Sequence, residues 1–292
     1  MKTLSRGKCI YEMKSDNEPV IKIDEGEKLL VETYDCFTGA LKSEDIKISE
    51  ISWDEINPAT GPIFVNGAEP GDILVVNIEK INLVGDAVMT TAPGLGVLGD
   101  YIEDQTTTIL KIEGDKLIFN ENIRIPIRPM IGVIGTAPRE GSVLCGTPDE
   151  HGGNMDCKEI IEGISLYLPV FHEGALLSLG DLHAVMADGE VCICGAEIDG
   201  EVIISCEIIK GGMKNYPYPM IVGPEKVMII DSKKTLEEAV DSAVLKARNY
   251  LVEHKGLNEE EAIRYLSLAG DVRICQVVDP LMTVRVELNS EL

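Results

Sequence analysis

Between residues 19 and 134 the chain advances in short apolar runs, each stopped by a turn-forming cluster, and that rhythm leaves little room for helix. The runs are Pro19–Ile23, Ile63–Val65, Ile73–Ile78, Thr107–Ile112, Leu117–Phe119 and Met130–Ile134. They are rich in Val and Ile, whose branched Cβ favours the pleated strand. Gly-Asp, Gly-Ala and Asn-Pro clusters break them, and Gly114-Asp115 has the two-residue length of a tight hairpin connection.

Residues 135–165 lose this rhythm: Gly, Pro and polar side chains dominate, which predicts a long irregular loop with a short helix starting near Met155. Ala175–Leu179, Val191–Ile198 and Glu201–Ile209 read as strands, with Asp199-Gly200 as a hairpin turn between the last two. The glycine turns at 67–74 and 174–181 echo one another weakly. The last quarter carries the helices. Thr235 and Glu238 form a capping-box start, and Leu236, Ala239, Val240, Ala243, Val244, Ala247 and Leu251 then hold one apolar face up to Gly256. Asn258 with Glu261 opens a second helix that stops at Gly270, and Val272–Val278 and Met282–Val286 return to strand. The expected fold is β-dominated α+β: mixed sheets or a sandwich-like core with a C-terminal helical pair. An N-terminal β-rich part (1–134) would precede an α+β part (135–292) in one compact unit.

The charge balance narrows the partners. Fifty acidic against 26 basic residues give a net charge of −24, which repels phosphate backbones and anionic lipid, so neither nucleic acid nor membrane is an expected partner. The N-terminal segment has no apolar run of signal-peptide length and no stretch reaches membrane-span length, so the chain is expected in the cytoplasm. Its eight cysteines show no paired CxxC spacing and sit mostly in apolar runs, which predicts free, buried thiols.

Of four histidines, His254 closes a helix and is expected to be structural, and His172 adjoins a glycine turn and is expected to have a surface role. His151 opens His-Gly-Gly-Asn-Met-Asp, where two glycines let the backbone turn and bring Asn154 and Asp156 near one point. His183 follows an apolar strand, and in extended chain Asp181 points to the same side. Imidazole and carboxylate from two such segments suit Zn2+ or a similar ion, although a single Asp-x-His is more often a hydrogen-bonded pair. Glu140 at a loop entrance and Glu197 at the end of an apolar strand compete as proton acceptors. Gly94-Leu95-Gly96-Val97-Leu98-Gly99 matches a dinucleotide fingerprint in letters alone, because no strand precedes it and no long helix follows.

Four ordered blocks give the chain a likeness. Gly61–Asp72, His151–Asp156, Gly180-Asp181-Leu182-His183-Ala184 with Asp188-Gly189-Glu190, and Gln276–Pro280 resemble the acetamidase/formamidase family. The resemblance implies a metal-dependent amidase that turns formamide, acetamide or another small neutral amide into its acid and ammonia, assembled as a homodimer or larger homo-oligomer. In the same carried-over sense Asp35 joins Asp156 and His183 as a metal ligand. The metal would be Zn2+, with Ca2+ or Mn2+ as substitutes. Glu140 would be the general base, Asn154 would polarise the amide carbonyl, and Asp181 would orient His183. The rival reading is a non-catalytic β-rich small-molecule-binding protein whose acidic loop holds a structural ion.

Overall fold

The computed structural model describes residues 1–291. Its main element is a 16-stranded sheet whose central path runs Gly152–Asn154, Met130–Gly135, Leu177–His183, Glu197–Ile209, Ile73–Thr91, Ser165–Pro169, Met220–Val222, Lys226–Lys233, Met282–Asn289 and Asp271–Gln276. Strands from 1–134 and from 135–292 interleave along that path. The expected β-dominated α+β fold is what the chain adopts. The Gly114-Asp115 hairpin forms between Ile112–Glu113 and Lys116–Ile118.

Four local expectations fail. The run at Ile73 does not stop at Ile78 but continues to Thr91, because Glu197–Ile209 pairs along most of its length. Asp199-Gly200 is no hairpin; it lies inside that partner strand. A Cβ on Gly200 would come within 2.6 Å of the Asn82 carbonyl oxygen and of Leu182 Cδ1, so glycine serves close packing there, not a turn. Residues 191–196 form an irregular segment, not a strand, with Ile193 at φ +82. Near Met155 there is strand, Gly152–Asn154, in place of helix.

The helical pair follows its caps. Thr235 Oγ1 accepts from the Glu238 N–H at 3.2 Å, and α1 runs Leu236–Lys255 to Gly256 at φ +69. Asn258 and Glu261 cap each other's backbone at the start of α2, Glu259–Ala269. Ala239, Ala243, Ala247 and Leu251 bury one face of α1 against Lys226–Lys233 and Met282–Asn289, which lets helix and sheet approach closely. His254 accepts its structural assignment: its Nε2 lies 2.6 Å from the Asn215 carbonyl oxygen and its ring stacks on Tyr216 and Tyr250. No helix is long and apolar enough to cross a membrane. The cysteines among the described residues are unbridged.

What this frame does for the site is to fix two adjacent strands. Leu177–His183 is buried along its whole length, with Met130–Gly135 on one side and Ala59–Val65 and Glu197–Ile209 also pairing to it. Leu177, Leu179 and Leu182 are fully buried, each worth roughly 1.5–3 kcal/mol of transfer free energy. A backbone held that firmly can keep charged side chains where solvent would otherwise take them.

Candidate active site

Acidic side chains from four parts of the chain converge where Leu177–His183 ends. His183 stands opposite Glu197 across the strand pair, and its Nε2 lies 3.0 Å from Glu197 Oε1, 3.4 Å from Asp181 Oδ1 and 3.9 Å from Asp156 Oδ1. Asp156, Asp181, His183 and Glu197 are each no more than 2% exposed, and Glu190 joins them at 7%. Asn154 donates from Nδ2 to Asp279 Oδ2 at 3.0 Å. The ligand atoms of Asp156, His183 and Glu190 lie within 4.8 Å of one another, as do those of Cys36, Asp181 and Glu197.

Local backbone makes this convergence possible. Asp156, Asp181 and Glu190 all have positive φ, +41, +56 and +47, a region that costs a non-glycine residue roughly 1–3 kcal/mol and is found where function outweighs comfort. Gly132 supplies the space: a Cβ there would sit 2.5 Å from both Asp156 Oδ1 and Asp181 Oδ2. Gly195 does the same for the imidazole, with His183 Cγ and Nδ1 both 2.7 Å from where its Cβ would be.

Electrostatics make the cluster a poor resting place for bare charge. Burial, then Asp181, pushes Asp156 up to about 7, and burial, with Asp181, pushes Glu197 up to about 8. Glu190 and Asp279 are also raised, by burial first and then by Asp156. Burial opposes charge on His183, but Glu197 and Asp181 outweigh it and hold the ring well above its usual value. Asp181 in turn is lowered, because His183 overcomes the burial. Several buried atoms here have no hydrogen-bond partner: Asp156 Oδ1, Asp181 Oδ1, Glu190 Oε2, Glu197 Oε2, Asn154 Oδ1 and His183 Nδ1. A knot of buried, unpartnered oxygens around one imidazole, which offers a lone pair once its proton is displaced, matches the donor set of a divalent cation.

Two expected site residues lie elsewhere. Glu140 is exposed in a surface turn before Gly141 and is not among the residues lining the cavity above the cluster. Asp35 is buried, and burial raises it to about 6, but its Oδ1 is committed to the N–H groups of Phe37 and Gly39 at 2.9 and 2.7 Å. It braces the turn at 35–39 beside Cys36 and belongs to neither ligand group. Glu190 joins Asp156 and His183 in a candidate ligand group, and Asp279 stands beside them as the partner of Asn154. Both stood in blocks that carried the family likeness, which was the one signal for them.

His151 is buried with both ring nitrogens unpartnered, and burial pushes it down to about 4. Its folded value lies below its unfolded value near 6.5, so the stability it contributes is whole above that pH and is lost on acidification toward 4. The expected loss is about 3 kcal/mol by pH 4. Denaturant titrations at pH 7 and 4 on wild type and His151→Gln check this: the variant should lose correspondingly less.

An open cavity of about 630 Å3 stands over the cluster, with Asn154, Asp156, Asp181, Glu190, Glu197 and Asp279 among its lining residues. Comparison with known proteins fits this frame. A crystal structure of an acetamidase from Bacillus halodurans superposes with a TM-score of 0.97 at 41% identity, covering 99% of this chain and 97% of that one. A predicted acetamidase/formamidase from Thermoanaerobacter tengcongensis gives 0.96 at 45%, covering 99% and 96%. The acetamidase of Mycolicibacterium smegmatis is 27% identical over 257 residues, 65% of this chain and 63% of that protein. The matches span 62 to 63% of the length of such curated relatives. The Acetamidase/Formamidase family profile matches residues 11–144 and 144–289, nearly end to end, and the chain belongs to that family.

Proposed function

We propose that the protein is a metal-dependent amidase that hydrolyses a short carboxylic amide to its carboxylate and ammonia. The observation that carries this reading is the set of buried, partnerless oxygens around His183 at the floor of an open cavity. Asp156, His183 and Glu190 are the residues that would hold the cation, with Zn2+, Mn2+ or Ca2+ as candidates. Such an ion would supply Lewis acidity, polarising the carbonyl and acidifying water.

The chain's own groups do the rest. Asn154 gives one Nδ2 N–H to Asp279 and leaves Oδ1 without a partner, so it suits acceptance of a hydrogen bond from the substrate's NH2, while its second N–H is the donor for the carbonyl role expected of it. Glu197, raised to about 8 by burial, serves in its ionised form, whose share grows as pH rises toward 8, to take a proton from the attacking water and return it to the departing ammonia. Asp181 and Glu197 both lie against His183 Nε2, at 3.4 and 3.0 Å, which restrains the ring's orientation. Asn57 Nδ2, 3.5 Å from Asp181 Oδ2, sits at the cavity wall and helps to aim that carboxylate.

We further place the protein in the cytoplasm, a setting supported by its unbridged cysteines. We expect a homo-oligomer, for which the exposed Leu245, Ile263 and Leu268 of the helical pair offer apolar surface. An ammonia-release assay over formamide, acetamide, propionamide and urea, with and without divalent ions after chelation, tests the activity. Turnover restored by an added ion is the expected outcome. Full turnover in metal-free protein would remove the cation from the reading, and no turnover with any ion would remove the amidase.

A further inference from the structure

The cavity is far larger than the amides just named. It holds about 630 Å3, whereas acetamide fills roughly 60–90 Å3, two to three times a water's share of liquid volume. Above the acidic floor the walls are largely apolar. Phe37, Ile48, Ile56 and Val278 line them, and Trp53 and Leu144, 50% and 64% exposed, stand at the outer edge.

Trp53 has no evident structural duty. It opens a single-turn helix, Trp53–Glu55, that buries no residue and is held by Ser52, whose hydroxyl accepts from the Asp54 N–H. A half-exposed indole on such a turn costs solvation unless something covers it. Among the described residues lining the cavity there is no Lys, Arg or His, while Glu12 and Asp54 belong to its wall. A carboxylate on the acyl group would meet like charge along those walls.

We infer that the site takes neutral primary amides with a bulky arylalkyl acyl group, the amide at the acidic floor and the ring against Trp53, Ile56 and Leu144. The inference rests on the amidase reading and names its substrate class. The reaction is unchanged: water's oxygen bonds to the acyl carbon, the C–N bond breaks, and nitrogen leaves as ammonia with the proton taken from water. A short amide could react at the floor while leaving the upper walls wet, so this preference adds to turnover of acetamide and does not exclude it.

The test measures kcat/KM for acetamide, butyramide, hexanamide and phenylacetamide on the ion-loaded enzyme. Each added methylene is expected to raise it by about three- to fourfold, mainly through KM. Trp53→Ala should lower the phenylacetamide-to-acetamide ratio by about three- to tenfold. Trp53 is the only tryptophan in the sequence, so its emission, titrated with phenylacetamide in chelator-treated protein, reads occupancy without turnover and is expected to shift. A flat or falling series with unmoved emission, while acetamide is hydrolysed, would overturn the arylalkyl preference and leave the amidase standing. A shift in emission with no amide turned over would support the apolar pocket and overturn the amidase.

Discussion

Glu197→Gln is expected to lower kcat for ammonia release by about 100- to 10,000-fold, the range of a lost general base. The substitution keeps shape and the contact with the Gly195 N–H, which reaches Glu197 Oε1 at 2.8 Å. What it removes is the ability to accept and return a proton. Because the carboxylate is fully buried opposite His183, no other side chain on that strand can replace it. A stopped ammonia assay gives the rate. Substrate-induced change in Trp53 emission on the same variant reports whether the pocket still fills. Loss of kcat with binding retained is the signature of a base; a fall in KM-dependent terms alone would return Glu197 to a merely structural place.

Gly132→Ala is the second large effect expected, and it comes through space. The strand Met130–Gly135 is paired on both sides, with Gly152–Asn154 and with Leu177–His183, so its backbone cannot retreat. The added Cβ would lie 2.5 Å from a carboxylate oxygen of both Asp156 and Asp181 and 3.0 Å from the Asp181 carbonyl. Both side chains must turn away, and cation affinity should fall by at least about 100-fold, since two members of the cluster are displaced together. Overpacking costs about 1–3 kcal/mol in stability as well. Gly146→Ala serves as the control: it also lines the cavity, but its Cβ would meet nothing nearer than Asn57 Cγ at 3.6 Å. Melting temperature and metal affinity should move in the first variant and stay close to wild type in the second.

The parts of this chain that were legible in advance are those set by local chemistry. Thr235, Gly256, Asn258 and Glu261 fix both helix boundaries through caps that act within a turn, and Gly114-Asp115 fixes a hairpin through its own backbone freedom. Errors arose where a distant partner decided. Gly200 looks like a turn residue until Asn82 and Leu182 are seen to press on it from two neighbouring strands. Ile73 begins an ordinary-looking run, yet Glu197–Ile209 extends it to Thr91.

The site divides the same way. Asp156 and His183 could be singled out because each lies in a short stretch unusually dense in ligand types. Glu190 could not be reached from spacing, since what brings it to the cluster is a positive φ and a fold in residues 189–196 that no periodicity encodes. Asp35 was named through the family likeness and not through spacing. An acidic residue at a strand end can serve a ligand or its own turn, and here two backbone N–H groups claim its oxygen. Glu140 was plausible as a polar residue in a loop, but exposure alone separates it from the chemistry.

Everything rests on the acidic knot around His183 being a cation site. The direct test is calorimetric titration of Zn2+ or Mn2+ into chelator-treated protein, run in two buffers of different ionisation enthalpy. Because burial and mutual repulsion raise Asp156 to about 7 and Glu197 to about 8, the cluster holds protons at neutral pH. A cation must displace them, and affinity should climb as pH rises through that range. Saturable binding with proton release, abolished in Asp156→Asn, is the expected result. No binding, or binding that ignores both buffer and Asp156, would contradict it.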